Sequence, residues 1–211
     1  ADAALETTIL NLVATVTGTG SIDIDETNGI TLGITATPVS TANGSIQVDA
    51  AGAVNADNVE STTDADANDI RITTTTGDVR IDRINVGGGT TASNGDVIVE
   101  ANTGAITETN TVNATEVVAG GFRVVAGNGG VGGNANLIET SVATLEGSST
   151  AGGFFVTNDR DYAVNDLALG LTDTTDGTTG ITSTGTVRLE STGTTSDLTF
   201  EDPVVATSQL V

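Results

Sequence analysis

Apolar and polar residues alternate one by one through short runs of this chain, and a turn residue closes each run. Ser21-Ile22-Asp23-Ile24-Asp25 is the first clear run. Ser45-Ile46-Gln47-Val48-Asp49, Asp69-Ile70-Arg71-Ile72-Thr73, Asp78-Val79-Arg80-Ile81-Asp82 and Asp96-Val97-Ile98-Val99-Glu100 repeat it. Alternation with period 2 marks a half-buried β-strand. The major runs start near residues 21, 45, 69 and 96, a spacing of about 24 to 27 residues. Repetition on that scale is the signature of a solenoid, in which each repeat makes one coil and buries its apolar face on its neighbours. A weaker strand follows each strong one, as in Gly29–Ile34 and Gly104–Thr107. The pattern predicts an all-β chain, one parallel β-helix (β-solenoid) over residues 1–211, with about seven or eight coils. At roughly 4.8 Å per coil the rod would be about 35 to 40 Å long. The strands starting at Ile22, Ile46, Ile70 and Val97 should then lie in register in one parallel sheet.

Three stretches break the pattern: Glu60–Asp69, Gly87–Gly95 and Leu171–Gly180 are polar or rich in glycine. Strand-like runs resume on both sides of each, so they read as connections within one domain. The two prolines, Pro38 and Pro203, are expected at strand ends. Neither end of the rod carries a recognisable cap. The first coil has the apolar run Ile9–Val16, and Pro203–Val211 is again apolar and strand-like. An uncapped solenoid end presents a row of unpaired N–H and C=O groups, which soluble solenoids cover with polar caps. Two such ends favour head-to-tail contacts, and a heterologous contact that does not close makes a fibre. The chain lacks an initiator methionine and reads as processed or cut from something longer.

Composition supports the same picture. Threonine, valine and isoleucine favour pleated surfaces, while the 27 glycines suit tight corners. The formal charge is −22, from 28 acidic and 6 basic residues, all six of them arginine. Such a surface repels nucleic acid phosphates and anionic membranes. No apolar run is long enough to cross a membrane as a helix. Without cysteine or histidine there is no disulfide framework, thiolate nucleophile, zinc–sulfur site or imidazole base.

The acidic clusters are the candidate chemistry. Asp23, Asp25 and Glu26 form one, Asp64, Asp66 and Asp69 a second, and Asp173 with Asp176 a third. Calcium takes six to eight oxygens from carboxylates spaced on a flexible loop, and Asp64, Asp66 and Asp69 come closest to that spacing. No EF-hand glycine or distal glutamate accompanies them. Solvated acidic surface is the plainer reading of all three, and no cofactor beyond a calcium ion is expected. Asp159, Asp161 and Asp166 crowd near Arg160 and Tyr162, where paired carboxylates could serve a polysaccharide-active enzyme. A turn in which Arg160 pairs with a neighbouring carboxylate explains the same residues, and five aromatics leave little for a sugar platform. Gly87-Gly88-Gly89 lacks the lysine and helix of a phosphate loop. Asn43-Gly44-Ser45 and Asn113-Ala114-Thr115 fit the short N-glycosylation pattern.

Gly95–Ala101 and Gly104–Thr107, followed by Gly127-Asn128-Gly129-Gly130-Val131-Gly132, Asn136–Leu145 and Gly152–Asn158, form a connected set. This set, from Gly95 to about Leu169, resembles the repeats of giant bacterial β-strand-repeat surface proteins of the filamentous-haemagglutinin type. The resemblance implies a right-handed parallel β-helix at the cell surface, and it carries no catalytic residues. Together the readings lead to an expected role: a non-enzymatic structural subunit or segment of an extracellular filament or adhesin. Its partner would be another copy or adjacent repeats of the same chain. The rival expectations are a cation- or ligand-binding surface domain and, third, a polysaccharide-active enzyme.

Overall fold

Isoleucine and valine at every second position leave each strand one apolar face, and that face is buried only if the chain winds round and stacks on itself. The computed structural model describes residues 4–63, 65–87, 94–109, 114–167 and 179–211, and every regular element among them is a β-strand. The strands form three parallel sheets of eleven, five and eight strands. One coil visits all three in turn: Ile46–Ala50 lies in the first sheet, Val54–Ala56 in the second and Val59–Ser61 in the third. The chain then returns to the first sheet at Ile70–Thr74. This is a parallel β-solenoid, as the alternation predicts. Ile22, Ile46, Ile70 and Val97 stand directly opposite one another on successive rungs.

The inward positions make continuous columns. One runs through Leu5, Ile24, Val48, Ile72, Val99, Val124, Gly147, Ile181 and Val204. Those nine rungs make eight coil-to-coil steps, within the expected number of coils, and span about 38 Å at roughly 4.8 Å per step. A second column in the other sheets runs Ile30, Val54, Val79, Ile106, Val131, Phe154, Val187 and Leu210. Its interior members are fully buried.

Polar residues hold the corners. Corner carboxylates accept the amide of the next coil: Asp69 Oδ1 from Asp96 N at 2.9 Å, Asp78 Oδ1 from Ala105 N at 2.8 Å, Asp161 Oδ1 from Asp197 N at 2.8 Å. Each bond satisfies a backbone donor where the sheet ladder is interrupted. Buried Asn158 does the same with its whole amide. Its Oδ1 accepts from Thr140 Oγ1 and the Val142 amide, and its Nδ2 donates to the carbonyls of Val142 and Arg160. Glycine is required where corners touch: a Cβ on Gly104 would collide with the Gly77 carbonyl oxygen of the coil below.

Outside the first sheet the surface is covered at one level. Ile98 points away from the core yet is buried, as are Arg123 and Glu146 beside it. Arg123 Nε lies 3.7 Å from Glu146 Oε1 and its Nη2 3.4 Å from Glu100 Oε1. The Leu167 amide donates to Glu146 Oε2 at 2.8 Å.

Candidate functional site

The two ends of the solenoid differ from its middle in one respect. Eight large hydrophobic residues are exposed among the described ones: Leu5, Leu10, Val13, Ile34, Phe200, Val205, Leu210 and Val211. All but Ile34 lie in the first coil or at the end of the last. Three are the terminal members of core columns. Leu5 heads the column of Ile24, Phe200 follows Leu145 and Val164, and Leu210 follows Phe154 and Val187. Leu5 is 61% exposed, Phe200 53% and Leu210 56%, whereas Ile24 is 3% exposed and Val164 and Val187 are fully buried. At these three positions a side chain of the kind buried within the stack is exposed on the terminal described rung, whereas Val204, which ends the Ile24 column, is half-buried against the core.

Strand geometry divides the first acidic cluster between two faces. Asp23 and Asp25 face outward on Ile22–Glu26, and Asp25 lies between Glu6 and Asp49 on the neighbouring rungs. Burial, then Asp25 and Asp49, pushes the Asp23 carboxyl up. Glu26 points the other way and is buried. It accepts from Thr7 Oγ1 at 2.6 Å, the Ile9 amide at 3.0 Å and the Asn28 amide at 3.2 Å. Burial pushes its carboxyl up, but these bonds outweigh it and leave the group below its ordinary value. In the second cluster Asp66 is exposed, Asp69 is buried as a corner acceptor, and Asp64 lies outside the described residues. Asp173, Asp176 and Asn113 also lie outside them, as does most of the Gly87–Gly95 stretch. Asn43 is exposed, and its Oδ1 accepts from Asn68 Nδ2 at 2.9 Å.

Around Asp159 the side chains serve the backbone. Arg160 Nη2 donates to the Ala119 carbonyl at 2.7 Å, and buried Tyr162 donates its hydroxyl to the Glu190 carbonyl at 3.3 Å. Asp161 holds the Asp197 amide, and Asp166 gives its own amide to Asp202 Oδ2.

Among the described residues, one group of three carboxylates does converge, made of none of the predicted residues but bordering a cleft that Asp159 also lines. Oxygens of Glu108, Glu116 and Glu139 all lie within 4.8 Å of one another. Glu108 ends Ile106–Glu108, on the rung after Ile81, where the repeat otherwise places an apolar residue. Glu116 immediately precedes Val117–Val118, and Glu139 lies in Ile138–Ser141 of the next coil. Glu116 is buried, and one of its oxygens accepts the Glu139 amide at 2.8 Å. Burial, then a hydrogen bond to Glu139 and that residue's charge, pushes the Glu108 carboxyl up to about 7. Glu108 and Glu139 line a cleft of about 450 Å³ with Thr157, Asn134, Arg188 and Glu190. No run of neighbouring residues betrays this group, because three separate strand ends supply it.

Fold and surface define the chain as an acidic parallel β-solenoid with apolar ends. Comparison with protein-family models, with curated proteins and with solved structures yields no match.

Proposed function

We propose that this chain is a structural segment that stacks end to end, as a subunit or segment of an extracellular bacterial filament or adhesin. One observation carries the reading: core columns run the length of the solenoid and end at both faces in exposed apolar residues, Leu5 at one and Phe200 and Leu210 at the other. A further coil on either face would bury these side chains and pair the open strand edges, and both effects favour association. The added coil comes from a second copy or from adjacent repeats of the same chain. The cell-surface setting rests on the resemblance of Gly95 to Leu169 to surface-protein repeats. The high negative charge keeps the sides of such a rod from sticking to one another, which directs contact to the ends. A second role, as a cation-binding surface domain, draws on the carboxylates at Glu108, Glu116 and Glu139.

Electron microscopy of the purified chain tests the proposal. Linear particles of variable length, as wide as one solenoid, are expected. Uniform short particles with no linear assembly at any concentration would refute it.

A further inference from the structure

We propose that Glu108, Glu116, Glu139 and the Thr157 hydroxyl form a calcium site that ties three successive coils together. Glu108 and Glu116 belong to one coil, Glu139 to the next and Thr157 to the one after, directly opposite Glu139 in the ladder.

Three carboxylates whose oxygens all lie within 4.8 Å of one another repel when ionised, and a cation between them removes that repulsion. Arg188, which lines the same cleft, is already engaged. Its Nη2 lies 2.5 Å from Glu190 Oε1, and its Nη1 donates to the Asn134 carbonyl at 2.8 Å.

A second feature points independently to a ligand. Thr157 is 7% exposed and lines the cleft, yet its hydroxyl has no hydrogen-bond partner. Buried polar groups are bonded in the great majority of cases, so an orphaned hydroxyl calls for an explanation. On the same rungs Thr140 Oγ1 is satisfied by Asn158, while Thr73 Oγ1, far from this cleft, is the other orphaned buried hydroxyl among the described residues. Thr157 alternates with Phe154 and Val156 of the core, so its side chain stands on the outer face of the sheet with that of Glu139. The Oε2 atom of Glu139 is likewise buried without a hydrogen-bond partner.

All these donors are hard oxygens, the set that suits calcium, magnesium or manganese and not zinc or copper. Calcium fits best. It accepts six to eight oxygens in irregular geometry, whereas magnesium demands a near-ideal octahedron. Three carboxylates on separate strand ends give an irregular arrangement, and a cleft of about 450 Å³ leaves room for waters to complete the shell. A bound ion would remove the repulsion and join coils whose corners carry no covalent tie.

Calorimetric titration of the whole chain with calcium chloride, paired with thermal melting, tests the site. Binding of one ion is expected, with a dissociation constant of about 10⁻⁴ to 10⁻³ M or tighter, together with a rise in melting temperature. Glu108→Gln should weaken binding at least about tenfold, and Asp66→Ala should leave it unchanged. Thr157→Val gives a signature that a purely structural role would not: the calcium-free chain melts higher, because the orphaned hydroxyl is gone, while calcium binds more weakly. Absence of binding at millimolar calcium would overturn the proposal. So would equal affinity in wild type and Glu108→Gln, or loss of binding in Asp66→Ala.

Discussion

Leu5 and Ile24 are rung neighbours in one inward column, yet Leu5 is 61% exposed and Ile24 only 3%. Position along the rod, not side-chain type, sets what each residue contributes. Ile72, between Val48 and Val99 in the same column, is fully buried. Ile72→Ala should therefore cost about 2–5 kcal/mol in urea denaturation of the dilute chain. Leu5→Ala should change stability by no more than about 0.5 kcal/mol under the same conditions. Equal losses would mean that Leu5 is already packed in the isolated chain.

The glycines make a second contrast. A Cβ on Gly104 would meet the Gly77 carbonyl oxygen, whereas one on Gly18 finds nothing within 4 Å. Gly104→Ala should destabilise by about 1–3 kcal/mol through forced separation of the corners. Gly18→Ala should be neutral or stabilise by up to about 1 kcal/mol. Thermal melting of the two variants reads the difference directly, and similar melting points would contradict the stacked-corner geometry.

Asp96 gives the chain a pH dependence of known sign. Burial, then Asp69, raises its carboxyl from 3.8 to about 7, against a hydrogen bond from the Gly121 amide, with Asp66 adding a smaller push. A raised pKa means that the folded chain holds this proton more tightly than the unfolded chain. The stabilisation is complete below about pH 4 and is lost as the pH climbs through about 7. Asp96→Asn keeps an oxygen for the amide and removes the titration. The variant should be more stable than wild type at about pH 8, with a flatter stability profile from about pH 5 upward. An unchanged profile would show that Asp96 titrates normally.

Arg123 and Glu146 are 5% and 0% exposed in their side chains, so their pairing is a buried one. Removing one partner of a buried pair strands the other charge and typically costs about 3–5 kcal/mol, while apolar replacement of both is far better tolerated. Arg123→Met alone should destabilise strongly in chemical denaturation. Adding Glu146→Leu should recover most of the loss, and a double variant less stable than the single one would contradict this account.

The sheets were legible in the sequence because a strand buried on one face must alternate, and Ile22, Ile46, Ile70 and Val97 mark the register by themselves. The apolar ends were legible in part, as the runs Ile9–Val16 and Pro203–Val211; Leu5 and Phe200 lie outside both, and the rung register is what reveals them as column ends. The acidic residues were harder to read. Asp69 and Asp78 look like solvated charge in the linear chain, but each spends an oxygen on an amide more than twenty residues away, a partner that local spacing does not reveal. The carboxylate group at Glu108, Glu116 and Glu139 spans two coils and becomes visible once the rungs are aligned. One signal was present in advance: Glu108 occupies the repeat position that Ile81 fills with an apolar side chain.

Sedimentation velocity of the 211-residue chain over a range of micromolar concentrations, beside the variant Phe200→Asp/Leu210→Asp, tests the stacking claim most directly. The wild type should form linear oligomers that grow with concentration, and the variant should stay monomeric with an unchanged melting temperature, because both side chains are exposed in the single rod. A wild-type chain that remains monomeric throughout, or a variant that assembles equally well, would contradict it.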